Sequence, residues 1–122
     1  MHNKDRATQF LALASSGSVD EAYERFVLAG GRHHSPYFAA GFAALKTGMK
    51  ENHRQFPDKR LTILRVLADG DLVAVHAHMV LRPGDPGVAV LHLFRFEGEK
   101  IAELWDFSQP VKPDSPNTDG LF

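Results

Sequence analysis

Two histidines stand two residues apart in the otherwise apolar stretch V-A-V-H-A-H-M-V, which runs from Val73 to Val80. Alternate side chains of a β-strand point to the same face, so His76 and His78 would project together. Two imidazoles on one face can bind zinc, iron or nickel, and near neutral pH they can also transfer protons. The remaining interpretation is that both side chains lie on a hydrated face of a sheet and have no chemical role.

The metal site is the least supported of these three interpretations. Gly70 and the His76-x-His78 pair match the beginning of the metal-binding motif of cupins, in which a glutamate follows shortly after the second histidine. Arg82 and Pro83 stand where that glutamate would be. We therefore expect neither a metal site nor a metal requirement.

A carboxylate in an apolar segment is the second candidate for chemistry. The stretch I-A-E-L-W-D-F-S places Asp106 among residues suited to burial. Aspartate is depleted in strands and is rarely buried unless it is paired or functional. Burial would raise the pKa of its carboxyl group towards the range of a general base or acid. The alternative is that Asp106 lies at a strand end and accepts hydrogen bonds from a loop.

Several other side chains could converge with Asp106 on one face of a sheet. We expect His76 and His78 to lie on that face, with Val75, Ala77 and Met79 on the opposite one. The predicted substrate-binding residues are His76 together with three groups: the histidines His33 and His92, the apolar walls Phe42, Phe94 and Phe96, and Trp105. Trp105 has the opposite parity to Asp106, so it packs in the core or at an interface unless a bulge turns it inward.

Composition limits the kind of protein that this can be. The 122 residues carry a formal net charge of −1 and include no cysteine, which excludes disulfides and thiol chemistry. Basic residues are scattered, so no nucleic-acid partner is expected. No apolar run is long enough for a membrane helix, and M-H-N-K-D-R does not open a signal peptide. We expect one cytoplasmic domain over residues 1–122, in which residues 110–122 form an extended tail.

The hydrophobic periodicity changes from helical to β partway along the chain. Helices are predicted from Lys4 to Ala14, from Ser18 through Phe26, and from Phe38 to His53, with the loop G-G-R-H-H-S-P-Y before the third. After Pro57, four apolar runs separated by short turns predict an antiparallel meander of four strands. Helices followed by such a sheet make an α+β domain.

Three sequence blocks carry a resemblance to a known family. The blocks H-H-S-P-Y-F-A-A-G, V-A-V-H-A-H and F-R-F-E-G-E-K-I-A-E-L-W-D, followed by the tail S-P-N-T-D-G-L-F, resemble the SnoaL-like branch of the nuclear-transport-factor-like superfamily over nearly the whole chain. The resemblance implies a cone-shaped fold in which N-terminal helices pack in a strongly curved antiparallel sheet that encloses a pocket. It also implies cofactor-independent chemistry like that of a polyketide cyclase, with the aspartate of W-D, Asp106, as general acid/base.

We therefore predict a lyase or isomerase that performs acid/base chemistry beside a carbonyl, such as aldol condensation, cyclisation or dehydration. The substrate would be a small apolar or carbonyl-containing molecule. Asp106 would remove a proton from carbon, and His78 or His34 would donate a hydrogen bond to the enolate oxygen. The alternative is a non-catalytic binding or dimerisation module with the same fold. Because the strands carry apolar residues on both parities, we also predict a homodimer.

Overall fold

The computed structural model describes residues 1–122 and contains three helices and five strands. The helices are α1 (Asn3–Ser15), α2 (Val19–Phe26) and α3 (Phe42–Gln55). The strands are β1 (Val27–His33), β2 (Arg60–Asp69), β3 (Leu72–Val80), β4 (Val88–Glu97) and β5 (Lys100–Pro110). They form one curved, open sheet in the order β1-β5-β4-β3-β2, which confirms the predicted α+β class. None of the helices has the length and hydropathy needed to cross a membrane.

The first strand corrects the predicted four-strand meander. The segment G-G-R-H-H was expected to be a loop, but its first part belongs to β1, which pairs in parallel with the last strand, β5. The register of this pair shifts between Val27 and Arg32. A Cβ atom at Gly31 would lie 2.5 Å from the Ala102 carbonyl oxygen, so glycine is what allows the two backbones to approach here. The strand contact therefore requires Gly31, and Gly30 has a φ of 83°, a conformation that favours glycine.

The third helix begins at Phe42, four residues later than predicted. The preceding residues form turns, and Gly41 has a φ of 93°, which favours glycine. Phe38 lies outside the helix and packs against it at Gly48, where a Cβ atom would lie 2.2 Å from the Phe38 ring. Because Gly48 has no side chain, the Phe38 ring can pack against the helix at this position.

The core lies between α1, α2, α3 and one face of the sheet, here called the inner face. Ala7, Phe10, Leu11 and Ala14 recur at helical spacing along α1 and are all buried. Phe10 meets Phe94 of β4 edge to face, with ring centroids 6.0 Å apart. Because the helices cover only this face, the opposite, outer face of the sheet keeps exposed apolar side chains, among them Leu67, Leu91 and Phe107.

Candidate active site

The strand register places one polar pair among the apolar residues of the inner face. His92 of β4 lies directly opposite Asp106 of β5, and on its other side it lies opposite Val75 of β3. Side chains opposite each other in an antiparallel pair have Cβ atoms about 4.5–5.5 Å apart. The imidazole and the carboxylate are therefore neighbours on the face that the helices cover.

Both side chains line a cavity of about 180 Å³ at one end of the core. An aliphatic and aromatic wall comes from α1, α3, the turn before α3 and strands β2 and β3: Leu11, Ala14, Phe38, Leu45, Met49, Leu61 and Met79. The polar lining consists of Ser15, Asn52, Lys59, His92 and Asp106. An apolar cavity of about 150 Å³ can hold benzene, so this one can hold a single ring with a small substituent.

The environment of Asp106 favours its protonated form more than water does. Burial raises the pKa of the Asp106 carboxyl above its ordinary value of 3.8, and Ser35 and His33 oppose that rise. The Ser35 hydroxyl is buried and has no hydrogen-bond partner within 3.5 Å, so it does not hold the carboxylate in place. Asp106 has no salt bridge to any cation. Its carboxylate is therefore available to a ligand.

The turn after β1 holds His33 in a fixed orientation beside this carboxylate. The Ser35 backbone N–H donates to His33 Nδ1 over 3.1 Å, so Nε2 carries the proton and donates to the Ala39 carbonyl oxygen over 2.7 Å. His33 is buried, and both of its ring nitrogens are occupied. The ring therefore supports the turn and influences Asp106 without a free nitrogen for a substrate.

His92 differs from His33 because one of its buried ring nitrogens has no hydrogen-bond partner. Burial lowers its pKa from 6.5 to about 4, so the ring is neutral at neutral pH. Its Nδ1 atom is buried and has no hydrogen-bond partner in the protein. Unpaired polar atoms are costly in a protein interior, and one beside a cavity is suited to a ligand. His92 was predicted as a binding residue, and it lies in the pocket.

The predicted convergence of His76 and His78 with Asp106 is wrong. The two histidines do share a face, but it is the outer one, because Val73, Val75 and Ala77 of the same strand are fully buried against the helices. His76 Nδ1 accepts a hydrogen bond from Arg65 over 2.9 Å, and His78 Nε2 donates to the Pro86 carbonyl over 2.9 Å. Turning this strand over would bury two imidazoles in place of apolar side chains, which is costly.

His34 and Trp105 also lie outside the cavity. Since β1 alternates, His33 points inward and its neighbour His34 stacks on Trp105, with ring centroids 4.9 Å apart. His34 Nε2 lies 2.6 Å from a Glu103 oxygen, and Arg95 contacts the other oxygen over 3.1 Å. Neither His34 nor Trp105 therefore lines the cavity that contains Asp106.

The predicted aromatic walls belong to the packed core beneath the cavity. Phe42, Phe94 and Phe96 are 7%, 0% and 2% exposed, and none of them lines the pocket. Phe38 forms the aromatic wall instead, and Met49, Met79, Asn52 and Lys59 are further lining residues that were not predicted for the site. Sequence patterns indicated few of these residues, because two of the five come from turns on either side of α3. Only Met79 followed from strand alternation, and it was assigned to the wrong face.

The C-terminal tail lies across the outer face. The Phe122 ring lies 4.1 Å from the His78 ring and 6.1 Å from the His76 ring, measured between centroids. Leu121 and His76 line a concavity of about 430 Å³ on this face, together with Leu91 and Phe107. This concavity is larger than the inner cavity, but its lining contains no carboxylate. The pair of Asp106 and His92 belongs to the inner cavity.

Helices packed on a curved open sheet around a cavity define the nuclear-transport-factor-like class of α+β proteins. The profile of the SnoaL-like domain family matches residues 7–104, and the chain belongs to this family. The resemblance of the sequence blocks to that family is thereby confirmed. No match was found among curated proteins.

Solved structures agree with this fold. A proposed polyketide cyclase from Acidithiobacillus ferrooxidans is similar with a TM-score of 0.70 and 21% identity, over 89% of each chain. A proposed isomerase of the SnoaL-like family from Agrobacterium tumefaciens has a TM-score of 0.73 and 12% identity, over 89% of this chain and 99% of its own. An NTF2-like protein of unknown function from Cytophaga hutchinsonii has a TM-score of 0.73 and 14% identity, over 90% and 92%. At these identities the likeness establishes the fold alone.

Proposed function

We propose that this protein is a cofactor-independent enzyme that removes a proton from carbon beside a carbonyl group, as in an isomerase or a lyase. The observation that carries the proposal is the pairing of Asp106 with His92 in a cavity whose lining is mostly apolar. A carbon-acid reaction needs a base to take the proton and a donor to hold the developing enolate oxygen. These two side chains can supply both.

Asp106 is the base in this proposal. Burial raises its pKa, which makes the carboxylate a stronger base than one in water. The apolar walls exclude water around the reacting carbon, which strengthens electrostatic interactions inside the cavity. Since no cation pairs with Asp106, its oxygens are not held away from a substrate by a salt bridge.

His92 is the hydrogen-bond donor. Its pKa of about 4 means that the ring is neutral at neutral pH. A neutral imidazole still carries one N–H and can donate it to a carbonyl oxygen. This role replaces the one predicted for His78 or His34, whose rings are held on the outer face or turned away from the cavity. Two proteins of similar structure are a proposed polyketide cyclase and a proposed isomerase, and both activities fall within the class of chemistry proposed for this protein.

Exchange of carbon-bound protons with solvent tests the proposal without knowledge of the natural substrate. Phenylacetone, a single ring with an adjacent ketone, suits the cavity volume, and its loss of proton signals in D₂O is followed by nuclear magnetic resonance. We expect the protein to accelerate exchange, and the rate to rise with pH through the pKa of Asp106 and then level off. Because His92 titrates near 4, no second step is expected around pH 6.5, the ordinary histidine pKa. Binding of phenylacetone with no acceleration at any pH would favour the non-catalytic binding module.

We further propose that the molecule forms a homodimer through the outer face of its sheet. Leu67, Leu91 and Phe107 are 70%, 40% and 61% exposed there, and His76, Leu91 and Phe107 lie side by side across three strands. A two-fold axis would place this apolar face against the same face of a second copy. Such a contact would leave the inner cavity of each copy unobstructed.

Charge placed in the middle of the outer face tests the dimer. The double substitution Leu91→Glu and Phe107→Glu should give a monomer of 13.5 kDa by light scattering, while the wild type gives twice that mass. The matched control is Tyr37→Glu, since Tyr37 is an exposed aromatic residue away from the sheet. A wild type that scatters as a monomer at micromolar concentration would contradict the proposal.

A further inference from the structure

Lys59 is the one lysine or arginine among the residues that line the inner cavity. It lies in the short connection between α3 and β2, next to the first residue of that strand. Its Nζ atom donates a hydrogen bond to Asn52 Oδ1 of α3 over 2.7 Å, and Asn52 lines the same cavity. The helix therefore holds the ammonium group at the polar end of an apolar space.

This ammonium group has no anionic partner. No carboxylate lies within 4.0 Å of Lys59 Nζ, whereas the nearby Lys46 and Lys50 both pair with Asp20, and Arg54 pairs with Glu51. Half-burial of Lys59 lowers its pKa, so the charged form is less stable here than in water. The Asn52 oxygen occupies one of the three N–H donors of the ammonium, and a partly buried charge without a counter-charge is unfavourable.

Asp106 does not serve as that counter-charge, although it lines the same cavity. The two groups form no salt bridge, and neither contributes to the pKa shift of the other. Lys59 Nζ therefore lies more than 4.0 Å from the carboxylate oxygens of Asp106. A ligand that reaches both would need an anionic group at one end and a reactive carbon at the other.

We propose that Lys59, oriented by Asn52, binds the carboxylate of a small ligand whose apolar body fills the cavity. This inference rests on the proposed function for the location of the ligand, and it narrows the substrate to a carboxylic acid that also carries a carbonyl group. The carboxylate supplies the charge that the protein does not provide to Lys59. With the acid held at that end, the carbon beside the carbonyl is directed towards Asp106 and His92.

Binding of phenylacetate and phenylacetamide to the purified protein tests this proposal by isothermal titration calorimetry at neutral pH. The two probes have nearly the same shape, but only phenylacetate carries a negative charge. We expect wild type to bind phenylacetate at least about tenfold more tightly, as a charged hydrogen bond allows. Lys59→Met and Lys59→Gln should abolish that preference, whereas Lys59→Arg should keep part of it.

Lys50→Met is the matched control, because it removes one positive charge from the exposed side of α3. It should leave the preference for phenylacetate unchanged. Equal binding of the two probes by wild type, or a preference that survives both neutral substitutions, would overturn the proposal. Neither probe needs to react, so the outcome of the binding measurement is independent of the exchange assay. A preference for the carboxylate without proton exchange would refute the proposed function but would leave the proposed role of Lys59 in place.

Discussion

Replacing Asp106 with asparagine should reduce proton exchange on phenylacetone by about 10²–10⁴-fold, the range that a positioned general base contributes. The amide has nearly the size and shape of the carboxylate but cannot accept the proton. Glu103→Gln is the matched control, because Glu103 lies on the same strand and contacts His34 and Arg95 rather than the cavity. Exchange should be unchanged in that variant. Full activity in Asp106→Asn would remove Asp106 from the mechanism.

The same substitution should not destabilise the protein at neutral pH. The pKa of Asp106 is raised in the folded state, so folding favours the protonated carboxyl, and the stability from this group is lost as pH rises through the folded pKa. A neutral asparagine does not incur that loss. Denaturant unfolding of both proteins should therefore show wild type losing stability relative to Asp106→Asn as pH rises above 3.8, the ordinary pKa of the carboxyl group. A variant that is less stable at pH 7 would indicate a structural role for the carboxylate.

Phe94→Ala should lower the free energy of unfolding by about 3–5 kcal/mol, the usual cost of removing a buried aromatic ring. Phe94 is fully buried on the inner face, and its ring lies near those of Phe10, His92 and Phe96. The cavity left by this substitution would open directly beneath the candidate site. Tyr37→Ala is the comparison, because Tyr37 is 76% exposed, and it should change stability by no more than about 0.5 kcal/mol. Similar urea-unfolding midpoints for the two variants would contradict the described core.

The α+β class was predictable because the two periodicities are separated along the chain, and the family was predictable because of the resemblance that the sequence blocks carry. Ala7, Phe10, Leu11 and Ala14 fix a helix face, and the later strands are divided by turns that sequence identifies well. The strand β1 was not predictable in this way. Gly31 is needed for contact with β5 and Gly30 for a positive φ, but in a single sequence the two glycines indicate a loop.

The site was predictable only in part. Asp106 stood out as a carboxylate in an apolar strand, and His92 followed from the expected face of β4. The prediction for His76 and His78 assigned them to the wrong face of the sheet. Strand alternation places both on the same face but does not specify which face that is. The alternate set Val73, Val75, Ala77 and Met79 is wholly apolar, so burial of that set is the less costly choice, and the sequence contained this information. Lys59 and Phe38 lie in connections whose paths depend on tertiary packing. Hydrophobic periodicity therefore does not predict that their side chains line the cavity.

We expect the ligand to occupy the inner cavity beside Asp106 and His92 rather than the outer face that carries His76 and His78. The three methionines report on this directly, since Met49 and Met79 line the cavity and Met1 is exposed at the N-terminus. Protein labelled with ¹³C at the methionine methyl groups would be titrated with phenylacetone and followed by nuclear magnetic resonance. We predict saturable shifts of the Met49 and Met79 signals with no change at Met1. Saturable binding that leaves Met49 and Met79 unshifted, but perturbs the ring protons of His76 and His78, would contradict the claim.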